Sequence, residues 1–271
     1  MLHGKPIRAV ETIRDINCFL LDMDGTVYLD HNWISGALAL IDSINQSGKT
    51  FCFLTNNSSK DAASYIRKLE GMGLVIDPET QLLTSGQATV SYLRQHFPKK
   101  RVFLLGNEYL SCEFTELGIE LSETDPQLVV TAFDTSLTYD KLRVVCDLVR
   151  NGLPYIATHP DFNCPTSDGY MPDIGAIHAF IHASTGRNPD VIIGKPNPYI
   201  IDIAIQRAGS SREQVAVVGD RLYTDIASAR NSGVTGILVL SGETSLGDLE
   251  ELSSPADFIF DSVADLIPYI S

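Results

Sequence analysis

The chain has 271 residues and a formal net charge of −14. A field of that sign repels nucleic-acid backbones and anionic membrane surfaces, so any site for a phosphorylated molecule must supply its own local positive charge. Hydrophobic residues at 44% and charged residues at 20% give the balance of a folded protein with core enough for one large or two modest domains.

Five cysteines (Cys18, Cys52, Cys112, Cys146 and Cys164) are odd in number and form no Cys-x-x-Cys pair. They fit a reducing compartment better than a disulfide framework. The first residues lack the apolar core of a signal peptide, and no apolar run is long enough to span a bilayer. The expectation is a soluble, cytoplasmic protein.

In chain order, an apolar run at 16–21 reads as a strand that ends in Asp22-Met23-Asp24-Gly25-Thr26. Ala37–Gln46 has apolar residues at helical spacing and stops at Gly48. A second strand at 49–54 ends in Thr55-Asn56-Asn57-Ser58-Ser59, and a helix at 61–72 follows, with Ser59 as its expected N-cap and Gly73 as its stop. Strands at 101–105, 128–132 and 155–158, with a helix at 138–149, form a series of their own. Further strands at 191–193, 215–218, 236–240 and 257–260 alternate with helices at Pro198–Ala208 and 225–231. Strands alternating with helices predict an α/β protein with a Rossmann-like parallel sheet and helices on both faces. The middle series predicts an inserted, smaller α/β domain at 87–173, leaving 1–86 and 174–271 as the core.

Four polar clusters follow predicted strands, where ligands bind in parallel sheets. In the first, Asp22 and Asp24 are two apart, so an extended backbone aims both at one site. One carboxylate can attack phosphorus while the other donates a proton to the leaving group and then activates water. A solvated acidic turn is the plainer explanation. A calcium loop is excluded, because Thr26 and Trp33 stand where such a loop needs acids. In the second cluster, Thr55 and Asn56 suit an oxyanion, whereas Ser58 and Ser59 suit helix capping. In the third, Gly194-Lys195-Pro196-Asn197-Pro198 puts a cation on a stiff turn, either to neutralise phosphate or simply solvated. The fourth, Gly219-Asp220-Arg221-Leu222-Tyr223-Thr224-Asp225, adds two hard-oxygen ligands suited to Mg²⁺. Asp225 alone could equally be an acid at a helix N-terminus. Three or four carboxylates brought to one place repel severely unless a divalent cation joins them.

These four ordered motifs, Asp22-x-Asp24-Gly25-Thr26, Thr55-Asn56-Asn57-Ser58, Lys195 in Gly-Lys-Pro-Asn-Pro, and Gly219-Asp220-Arg221-x-x-Thr224-Asp225, resemble those of the haloacid dehalogenase-like hydrolases. Within that superfamily the chain is most similar to the nitrophenylphosphatase and N-acetylglucosamine-phosphatase-like subgroup, whose members carry an α/β cap between the second and third motifs. The resemblance implies a Mg²⁺-dependent phosphatase of small phosphomonoesters. Asp22 would form an aspartyl-phosphate, Asp24 would serve as acid and then base, Thr55 and Asn56 would hold the phosphoryl group, and Lys195 would balance charge. Mg²⁺ would sit on Asp22, the Asp24 carbonyl and Asp220, with Asp225 bound directly or through water. The cap loop at 158–165 would face the substrate, with His159, Asn163, Cys164 and the nearby Asp173 as specificity candidates or as loop-structuring residues. The partner implied is a small phosphorylated metabolite, with no nucleic acid or membrane, and a homodimer through the cap is a family-level expectation.

Other readings stay open on the sequence. A phosphomutase would pass the phosphoryl group to a second acceptor. A dehalogenase would work without Asp24 and magnesium. A receiver-like phospho-acceptor or ligand sensor would keep the aspartyl-phosphate rather than hydrolyse it.

Overall fold

The computed structural model describes residues 10–166, 169–249 and 256–270. The apolar run ending in Asp22 becomes the strand Cys18–Asp22, whose first four residues are buried. A strand apolar on both faces belongs inside a parallel sheet, covered above and below. It lies within a six-stranded sheet of order Phe258–Phe260, Thr235–Val239, Val215–Gly219, Cys18–Asp22, Thr50–Thr55, Leu82–Thr84. Cys18–Asp22 pairs in parallel with the strands on both sides, Leu21 opposite Val218 and Asp22 opposite Leu54. After this strand the chain builds outward on one side and later returns to build on the other. That reversal of strand order is the place where parallel sheets open a crevice at their carboxyl ends.

The chain divides into two compact units. The first comprises the described residues of Met1–Leu54, Lys68–Leu83 and Lys195–Ser271, and the second comprises those of Thr55–Arg67 and Thr84–Gly194. The sequence places the insertion at 87–173, whereas the contacts set its limits at 84 and 194 and add 55–67. The strand Val191–Ile192 explains most of that difference. It pairs in parallel with Tyr155–Ala157, in a four-stranded sheet completed by Leu128–Thr131 and Val102–Leu105. An apolar run carries no mark of which sheet it will join.

In the first unit, Phe19, Leu20 and Leu21 are fully buried, as are Val218 and Leu238 on the neighbouring strands. Each such side chain contributes roughly 1.5–3 kcal/mol relative to exposure. A short hairpin, Tyr28–Leu29 against Asn32–Trp33, follows the acidic segment. In the second unit, Phe103, Leu105, Val129 and Tyr155 from the sheet pack with Val145, Cys146 and Val149 from the helix Tyr139–Arg150. Thr138 caps that helix by accepting from Lys141 N–H. An antiparallel pair, Asn163–Thr166 with Gly169–Pro172, extends the loop after Tyr155–Ala157.

Two local expectations change. The helix after Thr55, Ala62–Gly71, is capped by Asp61, whose Oδ1 accepts from Ser64 N–H at 2.8 Å, and not by Ser58 or Ser59. Ser58 Oγ instead accepts from Phe133 N–H at 2.9 Å, and Ser59 Oγ donates to Asn57 Oδ1 at 2.7 Å. The helix expected at 225–231 begins as a π-helical turn, Leu222–Ile226, and continues as Ala227–Ser232. Asp225 is fully buried within that turn, so it is no solvated helix-initial acid.

Glu113, on the helix Glu108–Glu116, reaches the start of Ala62–Gly71, where its Oε1 accepts from Ala62 N–H at 2.9 Å. No helix among the described residues is long and apolar enough to cross a membrane.

Candidate active site

At the carboxyl ends of Cys18–Asp22 and Val215–Gly219, the first unit gathers Asp22, Asp220, Asp225 and Lys195. Asp22, Asp220 and Asp225 each offer a carboxylate oxygen within 4.8 Å of the others. Lys195 is buried and bridges two of them, donating to Asp22 Oδ1 at 2.5 Å and to Asp225 Oδ1 at 2.6 Å. The peptide bond from Lys195 to Pro196 is cis.

Every carboxylate here is held by a specific donor. Asp220 Oδ1 accepts from Thr26 Oγ1 at 3.1 Å, and its Oδ2 accepts from Glu243 N–H at 2.7 Å. Asp225 Oδ2 accepts from Arg221 N–H at 3.1 Å. Glycines make room for these groups. A Cβ on Gly242 would fall 2.0 Å from Asp220 Oδ2, and one on Gly25 would fall 2.6 Å from the same atom. Gly25 also has a φ of +90°, which side-chain-bearing residues rarely adopt. A Cβ on Gly219 would lie 2.3 Å from the Asp225 side chain.

The electrostatics follow from burial and crowding. Burial, reinforced by the charge of Asp22, pushes the Asp220 carboxyl up to about 6. Burial pushes Asp225 up to about 7, against the pull of Lys195. Lys195 is held above the usual lysine value, because Asp22 and Asp225 outweigh its desolvation. Arg221 is likewise raised by Asp22, Asp220 and Asp225 against its own desolvation, and it pairs with Glu243 at 2.9 Å. Three crowded carboxylates, two of them with raised proton affinity, form a hard all-oxygen donor set that fits a divalent cation.

Asp24 stands apart from this cluster. Its side chain is 48% exposed, and its Oδ1 lies 3.8 Å from Lys68 Nζ. Lys68 was not singled out in the sequence, nor were Thr26, Arg221, Gly242 and Glu243 as supports of the carboxylates. The register of Val215–Gly219 beside Cys18–Asp22 signals only where Asp220 falls, not what surrounds it.

The remaining candidates belong to the second unit. Thr55 closes the strand Thr50–Thr55; its Oγ1 accepts from Asn57 N–H at 3.2 Å and lies 3.5 Å from Tyr65 Oη. Asn56 Nδ2 donates to both carboxylate oxygens of Asp161 at 3.2 Å, and its carbonyl accepts from Ser85 Oγ at 2.5 Å. His159 is fully buried, with Nε2 3.0 Å from Asp173 Oδ1 and Nδ1 3.0 Å from Thr158 Oγ1. Asp173 also caps the helix Ile174–Thr185 by accepting from Ile174 N–H. These bonds tie His159 and Asp173 to each other and to the start of the helix that follows. Asn163 is exposed, and Cys164, half-buried, has its Sγ 3.6 Å from Asn57 Nδ2.

Two family models match the chain: haloacid dehalogenase-like hydrolase over residues 19–120, and a HAD-hydrolase-like model over residues 192–266. The acid sugar phosphatase of Staphylococcus aureus is 34% identical over 256 residues, spanning 94% of this chain and 98% of the relative. Among solved structures, a 4-nitrophenylphosphatase from Thermotoga maritima superposes with a TM-score of 0.93 at 43% identity, covering 96% of this chain and 99% of that one. NagD from E. coli K-12 superposes with a TM-score of 0.85 at 30% identity, covering 92% and 98%.

Proposed function

The chain belongs to the haloacid dehalogenase-like hydrolases and is a phosphatase of that family, and on that premise we propose that it hydrolyses small phosphomonoesters with Mg²⁺ through a phosphoryl group carried on Asp22. The observation that carries this reading is the buried Lys195 bridging Asp22 and Asp225, with Asp220 completing a three-carboxylate set within 4.8 Å.

In this reading Asp22 attacks phosphorus with one carboxylate oxygen, and the leaving oxygen departs opposite to it. Lys195, at 2.5 Å from Asp22, holds the nucleophile's carboxylate in place and offsets its charge. Asp24, two residues on and exposed, donates the proton to the leaving alkoxide and then takes one from the water that releases phosphate. Thr55 and Asn56 are the phosphate-binding residues of the second motif. Mg²⁺ would be held by Asp22, Asp220, the Asp24 carbonyl and Asp225, and when bound it supplies charge neutralisation for an anionic substrate approaching an anionic nucleophile. Sugar phosphates and nitrophenyl phosphate are the substrates favoured by the relatives' activities. The second unit acts as the cap that selects among them, and the partner is a small phosphorylated metabolite.

The test is phosphate release from a panel of phosphorylated metabolites and 4-nitrophenyl phosphate, with Mg²⁺ and with a chelator. Asp22→Asn should lose turnover while keeping its thermal transition. A chelator-insensitive phosphatase, or an active Asp22→Asn enzyme, overturns the reading. Release of phosphate to water and not to an added sugar acceptor separates hydrolysis from a mutase.

A further inference from the structure

The geometry points to Lys68 as a positioning residue for the acid–base carboxylate Asp24, held in place by the face of the Tyr28 ring; this rests on the reading of Asp24 given above. Lys68 sits in the last turn of Ala62–Gly71, and its side chain is only 13% exposed. Its Nζ lies 3.7 Å from the centroid of the Tyr28 ring and 3.8 Å from Asp24 Oδ1. A lysine that gives up most of its hydration needs compensating negative potential, and an aromatic face and a carboxylate provide it from two directions.

The parts that meet at this ammonium are themselves fixed to one another. Gly25 N–H donates to the Tyr28 carbonyl at 2.9 Å, and Asp24 forms a bridge with Tyr28, so the ring and the carboxylate belong to one tight loop. Tyr28 is fully buried and meets Trp33 edge to face, with centroids 6.2 Å apart. Trp33 Nε1 donates to the Met72 carbonyl at 2.9 Å, and Met72 N–H donates back to the Lys68 carbonyl at 3.1 Å. The loop bearing Asp24 and the helix end bearing Lys68 are thus joined through the hairpin. Of the three, only the Asp24 side chain reaches solvent to a large extent. An exposed carboxylate on a two-bond side chain samples several rotamers, and one fixed cation on its inner side selects among them. Lys68 keeps Asp24 at the place where a leaving oxygen needs its proton.

A positioning role for the acid has a signature that a structural role lacks. Departure of a sugar alkoxide needs a proton, whereas 4-nitrophenolate leaves without much help. kcat/KM, which reports the chemistry up to the first irreversible step, is therefore the quantity to compare. Lys68→Met should lower kcat/KM for a sugar phosphate by roughly tenfold or more and for 4-nitrophenyl phosphate by less than about threefold, within the range that proton transfer supplies. Lys68→Arg, which keeps a cation over the ring, should restore the ratio between the two substrates to within about threefold of the parent. The ratio does not depend on the fraction of enzyme folded, so a poorly folding variant still reports. Equal losses on both substrates, or an arginine variant whose ratio matches that of methionine, overturn the assignment. Asp24→Asn is measured alongside. If it too affects both substrates equally, the acid role of Asp24 fails and Lys68 falls with it. If Asp24→Asn discriminates and Lys68→Met does not, only the Lys68 proposal fails.

Discussion

Replacing Glu113 with glutamine should change how stability depends on pH, and the structure sets both the size and the sign. Glu113 is buried; Oε1 accepts from Ala62 N–H, while Oε2 has no hydrogen-bond partner among the described residues. Burial pushes its carboxyl from 4.5 up to about 7. At about 1.4 kcal/mol per pH unit, a shift of that size corresponds to at most about 3.5 kcal/mol. An acid raised in the folded state makes the native protein hold the extra proton between the two values. Its contribution is therefore complete below about 4.5 and is lost as pH rises toward about 7. Glutamine has no proton to lose, so Glu113→Gln should match or fall slightly below the parent at pH 4.5 and exceed it by roughly 1–3 kcal/mol at pH 7.5. Paired urea melts at several pH values give that difference directly, since groups common to both proteins cancel. A difference that stays flat from pH 4.5 to 7.5 refutes the reasoning.

Three further expectations rest on the carboxylate cluster. Gly242→Ala places a Cβ 2.0 Å from Asp220 Oδ2, so it should weaken Mg²⁺ binding and lower stability by roughly 1–3 kcal/mol, read by calorimetry and thermal melts. Lys195→Met leaves Asp225 buried without its cation; kcat should collapse, and the metal-free protein should lose roughly 3–5 kcal/mol at a pH where Asp225 is ionised. Asp220 and Asp225, raised to about 6 and about 7, must lose their protons to bind a cation. The rise in thermal midpoint on adding Mg²⁺ should therefore be larger at pH 7.5 than at pH 5, and a shift independent of pH would contradict it.

Much of the fold was legible because its physics is local or periodic. The run from Cys18 to Leu21 is apolar on both faces and can only be an interior strand, and Thr138 announces the helix it caps. Asp22, Asp220 and Lys195 could be placed because each follows such a run, or a turn closed by prolines. What escaped was information that resides in partners distant in sequence. Val191–Ile192 reads the same whichever sheet receives it, and residues 174–194 went to the wrong side of the division for that reason. Ser59 has the chemistry of a cap, but Asp61 is nearer the first turn and carries a charge. His159 and Asp173 suit substrate contact or loop structure alike, and nothing in the sequence shows that they meet each other in the interior. Lys68 is one of two lysines in the described helices, with Lys141, and nothing within its own helix marks it as the one that meets Asp24.

The central strand sets an order of events during synthesis. Thr50, one neighbour of Cys18, is made soon after it, but the other is Val215, about 200 residues later. Until then the strand that carries Asp22 has one open side, a template for mispairing with other nascent chains. All four strands of the sheet from Val102 to Ile192 are made before that point. Lys195, Asp220 and Asp225 all follow it in the chain, so the nucleophile has neither its cation nor its neighbouring acids until those residues have been made. A nascent chain stopped at residue 194 should therefore fold its second unit, show no phosphatase activity, and depend on chaperones to keep its first strands from aggregating.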